Sequence, residues 1–83
     1  MTDNDIRAII RDELGRIAPE INFDLVDPNK PIQSEFDIDS MDFLNLITAY
    51  HQRLAVNVPE SDYAKVATLS GAVAYLAIRL RDL

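Results

Sequence analysis

The sequence predicts an all-α domain of three longer helices and one short one, with a long structured loop after the first helix. Three observations carry this. Apolar residues recur at spacings of three and four in three separate segments, no run alternates as a half-buried strand would, and three of the four prolines fall between the first two of those segments. A single domain of 83 residues buries only roughly 60–65% of its unfolded surface, so the core must be compact.

The first helix is expected over Asp3 to Ala18, where Ile6, Ile9, Ile10, Leu14 and Ile17 make one apolar stripe. Asp3, Asn4 and Asp5 supply cap and dipole-compensating groups at its start. Gly15 costs about 1 kcal/mol relative to Ala inside a helix, so the helix is expected to fray or end near it. From Pro19 to Ile38 the run Asp27-Pro28-Asn29-Lys30-Pro31 is a dense turn signal. A loop of this length must pack down on its own side chains, and Ile21, Phe23, Leu25, Val26, Ile32 and Phe36 are the means.

The second long helix is expected over Ser40 to Leu54, with Phe43, Leu46, Ile47, Tyr50 and Leu54 within one arc of roughly 100° facing the core. Met41 and Leu44 fall off that arc, beside Asn45 and Thr48, which makes this flank a candidate docking surface. A short turn of helix is expected from Pro59 through Lys65. A last helix begins near Thr68 or Ser70 and carries Leu69, Val73, Leu76 and Leu80, with Arg79 and Arg81 near its C-terminal end, where cations suit the helix dipole.

Eight basic and fourteen acidic residues give a net charge of −6. That balance repels phosphate backbones and anionic lipid and favours basic partner surfaces, so nucleic acid is not an expected ligand. There is no cysteine, and any reactive sulfur must be imported. The opening Met1-Thr2-Asp3-Asn4-Asp5 has neither a basic start nor an apolar stretch, and no segment approaches the roughly 18 apolar residues of a membrane span. A soluble, cytoplasmic monomer without membrane insertion is expected. No Cys/His set suits zinc. Asp37, Asp39 and Asp42 do not make a calcium loop, because Met41 occupies a ligand position and the required glycine is missing. The two glycines, Gly15 and Gly71, are isolated, so there is no glycine-rich phosphate loop. The only histidine, His51, lies eleven residues beyond Ser40, about 16 Å along a helix, too far to serve that hydroxyl as a base.

Ser40 itself stands in Glu35-Phe36-Asp37-Ile38-Asp39-Ser40-Met41-Asp42-Phe43-Leu44, a run with four acids and no base. Two readings fit a serine at this place. It is an N-cap accepting a backbone N–H, or it is a handle for covalent modification.

Asp39-Ser40-Met41 resembles the Asp-Ser-Leu signature of acyl carrier proteins, in which the Ser carries a 4′-phosphopantetheine arm. Leu54-Ala55-Val56-Asn57-Val58-Pro59 is similar to that family's loop ending in an apolar residue and Pro. Ala67-Thr68-Leu69 with Ala72-Val73-Ala74-Tyr75-Leu76 resembles its final helix and entry. The resemblance implies an acyl-carrier-like four-helix bundle and a carrier that is not itself an enzyme. It also implies a phosphopantetheinyl transferase that uses Mg²⁺ and coenzyme A to load Ser40, and acyl-loading, acyl-transfer and condensing enzymes as partners in a fatty acid, lipid or polyketide-type pathway. On the same footing, Asp37, Asp39, Met41, Asp42, Leu44, Asn45 and Thr48 would meet partners. Phe43, Leu46, Ile47, Val66, Leu69 and Val73 would line an acyl pocket, each of them being equally suited to plain core.

The chain departs from the family pattern in two places. Where the family carries Gly two residues before the motif Asp, Asp37 stands here, and a different loop conformation is expected. Where the family carries acids along the helix after the Ser, Asn45, His51, Gln52 and Arg53 stand here, which points to a specialised carrier with its own enzymes. Two alternatives stay open: a carrier of aminoacyl or peptidyl groups, and a small helical adaptor in which Ser40 only caps a helix.

Overall fold

The computed structural model describes residues 1–81. Four α-helices follow in order, α1 (Asp3–Ile17), α2 (Ile32–Glu35), α3 (Ser40–Leu54) and α4 (Leu69–Arg81), with 3-10 segments at Phe23–Leu25 and Glu60–Val66. Among the described residues there is no strand, so the all-α expectation holds. The short helix expected after Pro59 is the second of the 3-10 segments.

Helix α1 starts at Asp3 as expected, but the acids do not provide its cap. Thr2 is the cap: its Oγ1 accepts the Asp5 N–H at 3.1 Å, and Asp5 Oδ2 accepts the Thr2 N–H at 2.9 Å. This reciprocal capping box holds the Asp5 carboxyl below its ordinary pKa, chiefly through the Thr2 backbone bond. Contrary to expectation, α1 runs through Gly15 to Ile17. Burial of Ile6, Ile10, Leu14 and the following Ala18 outweighs the intrinsic cost of one glycine.

The long loop packs down as anticipated, through both side chains and backbone. Phe23, Ile32 and Phe36 are buried, with the Phe23 and Phe36 rings 6.2 Å apart. Arg7 and Arg11 of α1 lie over the Phe23 ring at 5.6 and 5.4 Å. Leu25 is the exception: it points to solvent, because at about 120° per residue a three-residue 3-10 turn that buries Phe23 carries Leu25 away from the core. Ile32 N–H donates to the Ala67 carbonyl at 2.8 Å and Ser70 N–H to the Pro28 carbonyl at 2.9 Å. These bonds pin the loop and α2 to the entry of α4, satisfying backbone groups that a loose loop would leave unpaired.

Helix α3 crosses the core. Phe43, Leu46, Ile47, Tyr50 and Leu54 are all buried, as their arc predicts. The Tyr50 hydroxyl is enclosed without a hydrogen-bond partner, and burial, then the Glu13 charge, raises its pKa. At the far end of α3, Arg53 reaches α1, donating to Glu13 Oε1 at 3.1 Å and to Asp12 Oδ2 at 3.5 Å. The helix ends on Ala55, which adopts the left-handed conformation (φ 56°) and donates its N–H to the His51 carbonyl.

The second 3-10 segment is tied to α4 by side chains. Tyr75 OH donates to Asp62 Oδ2 at 2.6 Å, and Arg79 Nη1 donates to Tyr75 Oη at 2.8 Å. The Tyr75 bond, ahead of the nearby cations, keeps the Asp62 carboxyl below its ordinary pKa. Thr68 Oγ1 accepts the Gly71 N–H at 3.0 Å. Gly71 is required by space, since a Cβ there would lie 2.5 Å from the Lys65 carbonyl oxygen.

Candidate functional site

The site is built at the start of α3. Asp37 sits in the left-handed region (φ 49°), reversing the chain after α2. The resemblance expects glycine at this position. Asp is one of the few L-residues that visits this conformation routinely, so the reversal expected of glycine is made here by an acid. Asp39 then caps α3: its Oδ1 accepts the Asp42 N–H at 2.8 Å and its carbonyl accepts the Phe43 N–H at 3.0 Å.

This assigns the cap to Asp39 and not to Ser40. Ser40 is the first helical residue; it is exposed, and its hydroxyl makes no hydrogen bond among the described residues. The first backbone N–H groups of a helix carry partial positive charge, so a phosphodiester formed on Ser40 would lie at the favourable end of the α3 dipole. That offsets part of the repulsion from the surrounding acids.

Of the four acids near Ser40, two are engaged within the fold. Asp39 holds the cap, and Glu35 Oε1 accepts the Asp27 N–H at 2.6 Å. The Asp37 and Asp42 carboxylates accept no hydrogen bond among the described residues. Met41 is 71% exposed and Leu44 46%, and both lie with exposed Asn45 and Thr48 on the outer strip of α3. Thr48 Oγ1 donates back to the Leu44 carbonyl at 3.0 Å. Asp37, Asp39, Met41 and Asp42 are thus sequence neighbours of Ser40, and Leu44, Asn45 and Thr48 extend the exposed strip along α3, Thr48 more than two turns away.

Of the six candidate pocket residues, five share one core cluster and Val73 packs against it. A surface hollow of about 430 Å³ opens beside Ser40, lined by Gln33, Ser40, Phe43, Leu44, Glu60, Tyr63, Ala64 and Ala67. Phe43 is the only one of the six expected residues on its wall, meeting the Tyr63 ring edge-on at 6.2 Å. Leu46 and Val66 are fully buried, Leu69 and Ile47 nearly so, and half-buried Val73 packs against the core. Gln33, Glu60, Tyr63, Ala64 and Ala67 were not legible as site residues. Gln33 is held near Ser40 by the local Ile38 N–H to Gln33 carbonyl bond at 3.1 Å, and the Ile32–Ala67 backbone bond joins α2 to the residue that follows the 3-10 segment, a contact that no local sequence pattern marks.

The geometry thus defines a small helical domain in which the unengaged Ser40 hydroxyl stands at a helix start beside a mixed polar and apolar hollow. The family model described as phosphopantetheine attachment site matches residues 4–76, and the chain belongs to that family. It is similar to proteins named acyl carrier protein from Chlamydia felis (27% identical, over 93% of this chain and 92% of the relative), Campylobacter jejuni subsp. doylei (28%; 90% and 91%) and Picosynechococcus (29%; 87% and 83%). The prosthetic group of the family is covalently attached 4′-phosphopantetheine, and a free, exposed hydroxyl beside the hollow fits it. No helix among the described residues is long and apolar enough to cross a membrane.

Proposed function

We propose that this protein is a carrier that holds acyl groups on a 4′-phosphopantetheine arm joined to Ser40 and presents them to separate enzymes. The observation that carries the reading is the division of labour at the start of α3: Asp39 takes the capping bond, and the serine hydroxyl is left exposed and free. When bound, the arm supplies the terminal thiol, and hence the thioester, that a chain without cysteine lacks. In the active site of a phosphopantetheinyl transferase, which brings the base and metal, the Ser40 oxygen would attack the pantetheine-side phosphorus of the coenzyme A pyrophosphate, forming the phosphodiester as the pyrophosphate P–O bond breaks, 3′,5′-adenosine bisphosphate leaves and the base takes the hydroxyl proton. Within this chain, α3 fixes that oxygen's position, and the N-terminal backbone of the helix stabilises the added negative charge.

Partners meet the exposed strip of Met41, Leu44, Asn45 and Thr48, with Asp37 and Asp42 as the free acids at its Ser40 end. Of the basic side chains on α3, Arg53 is drawn to Glu13 and Asp12. The strip is uncharged, two apolar side chains beside two polar ones, with free acids at its Ser40 end. This supports a specialised carrier with its own acyl-loading and condensing enzymes, because rim charges set encounter rate and partner choice. The acyl reading, in preference to an aminoacyl one, is supported by the names of the relatives.

The test is intact mass after incubation with coenzyme A and a broad-specificity phosphopantetheinyl transferase. One added arm, absent in Ser40→Ala, is the expected result; an unchanged mass of demonstrably folded protein refutes the carrier. Turnover of the acylated protein by a standard fatty acid synthase system tests the specialised role, and efficient elongation there would overturn it.

A further inference from the structure

Asn4, Arg7, Ala8, Arg11 and Gly15 share one exposed face of α1, and with Phe23 they border two surface hollows of about 220 and 400 Å³. The hollows meet at Arg11 and Phe23, and neither shares a residue with the one beside Ser40. Arg7 and Arg11 lie over the same Phe23 ring at 5.6 and 5.4 Å, so two long cationic side chains are held in place before any ligand arrives. Arg7 makes no ion pair among the described residues. Arg11 has Asp24 at 3.3 Å, between side chains that are both more than half exposed, a pair that contributes little in water. The other acid of the rim, Asp12, is turned to Arg53. Gly15 is the second unusual feature of this face. Inside a helix it costs about 1 kcal/mol relative to Ala, yet it has no positive φ, and a Cβ there would meet nothing within 4 Å. Neither conformation nor space calls for glycine; its effect is to leave the larger hollow open, with Leu14, Ala18, Ile21 and Phe36 in the wall.

We infer that this face of α1 is a second docking surface, which takes an acidic segment of a partner protein carrying one apolar side chain. The carboxylates meet Arg7 and Arg11, and the apolar side chain enters the hollow over Gly15. Charge complementarity selects the partner, because paired guanidiniums recognise carboxylates through charge-assisted bonds. The net charge of −6 opposes an acidic partner at long range, but that repulsion is screened beyond about 8 Å at physiological salt. The contacts at the two arginines are direct. From Asn4 to Gly15 the strip spans eleven helical steps, about 16 Å, which matches an extended segment of about five residues. Its rim is exposed along that whole length, whereas a small-molecule site encloses most of its ligand; an anchor projecting from a larger surface suits such an open hollow better. The surface does not depend on what Ser40 carries.

The experiment titrates the full ¹³C,¹⁵N-labelled chain, without any arm, with the synthetic peptide acetyl-Asp-Glu-Leu-Glu-Asp-amide and follows the NMR spectrum. The expected result is saturable shifts of the Arg7 and Arg11 Nε–H groups, the Gly15 amide and the Phe23 ring. Arg7→Gln combined with Arg11→Gln should weaken binding about tenfold or more, as loss of two charge-assisted contacts requires. Gly15→Leu introduces a better helix former, so the fold should hold, while the filled hollow should reduce affinity to that of a control peptide with Ser in place of Leu. Equal affinity of the parent protein for the Leu and Ser peptides overturns the inference, as does the absence of any shift at millimolar peptide or a response confined to the residues around Ser40. Decanoate binding at the same residues as tightly as the peptide would assign the hollow to a small carboxylate, and concentration-dependent shifts there in the protein alone would assign the face to a second copy; either result overturns the acidic-segment reading.

Discussion

The two ends of α3 begin from the same backbone problem and settle it to different purposes. Each is bounded by a non-glycine residue in the left-handed region, Asp37 before the helix (φ 49°) and Ala55 after it (φ 56°). At the Ala55 end the apolar groups are buried and one cation is paired, while His51 and Gln52 face solvent. Leu54 is buried, Tyr50 fills the core, and Arg53 clamps onto Glu13 and Asp12. At the Asp37 end the serine hydroxyl, two carboxylates and two apolar side chains are left unpartnered. Stability concentrates at one end, and the surface at the other is free for chemistry.

The sharpest way to break this contrast is to cut the clamp. Glu13 is the most buried charged residue described, and it receives Arg53 at 3.1 Å and Arg16 at 3.0 Å. Glu13→Ala should lower unfolding stability by about 1.5–3 kcal/mol, the usual cost of losing hydrogen bonds to a charged group, as measured by urea denaturation. The rate of Ser40 modification should stay unchanged at temperatures where the variant is folded. If that rate falls in step with stability, the two ends are not independent.

Glu13 also shows where sequence reading stops. The three long helices were legible because apolar spacing is a local signal, whereas the four-residue α2 lay hidden inside the expected loop. Ser40 was legible because three residues and their distance to Pro59 carry a family signature. An acid on the flank of α1 gives no local sign that an arginine forty positions later will bury it, and at the hollow beside Ser40 a backbone bond likewise joins distant residues, Ile32 and Ala67. Asp37 is a different case. The sequence showed the missing glycine and suggested a changed loop; the backbone at Asp37 takes the left-handed conformation that glycine adopts most readily.

Two substitutions probe how closely the core is fitted. Gly71→Ala places a methyl against the Lys65 carbonyl oxygen and should destabilise by about 1–3 kcal/mol, the cost of overpacking. Tyr50→Phe removes an enclosed hydroxyl that has no protein partner. Leaving such a group unpaired costs about 1–3 kcal/mol, so the variant should be as stable as the parent or gain about 1 kcal/mol by thermal melt. A clear loss would mean that the hydroxyl is satisfied in solution, by water or by Glu13.

The smallest effect bears most directly on the comparison. Glycine relieves the left-handed penalty at either end of α3 but adds freedom to the unfolded chain, so Ala55→Gly and Asp37→Gly should each stabilise by only about 0.5–1 kcal/mol. Their functional consequences should differ. Ala55→Gly removes a methyl remote from the site and should leave transferase kinetics unchanged. Asp37→Gly removes one of the two free carboxylates at Ser40, and should raise KM for the carrier and weaken the salt dependence of the reaction while kcat holds, as expected when a rim charge that steers encounter is lost. Equal kinetics for the two variants would mean that Asp37 serves the turn and nothing more.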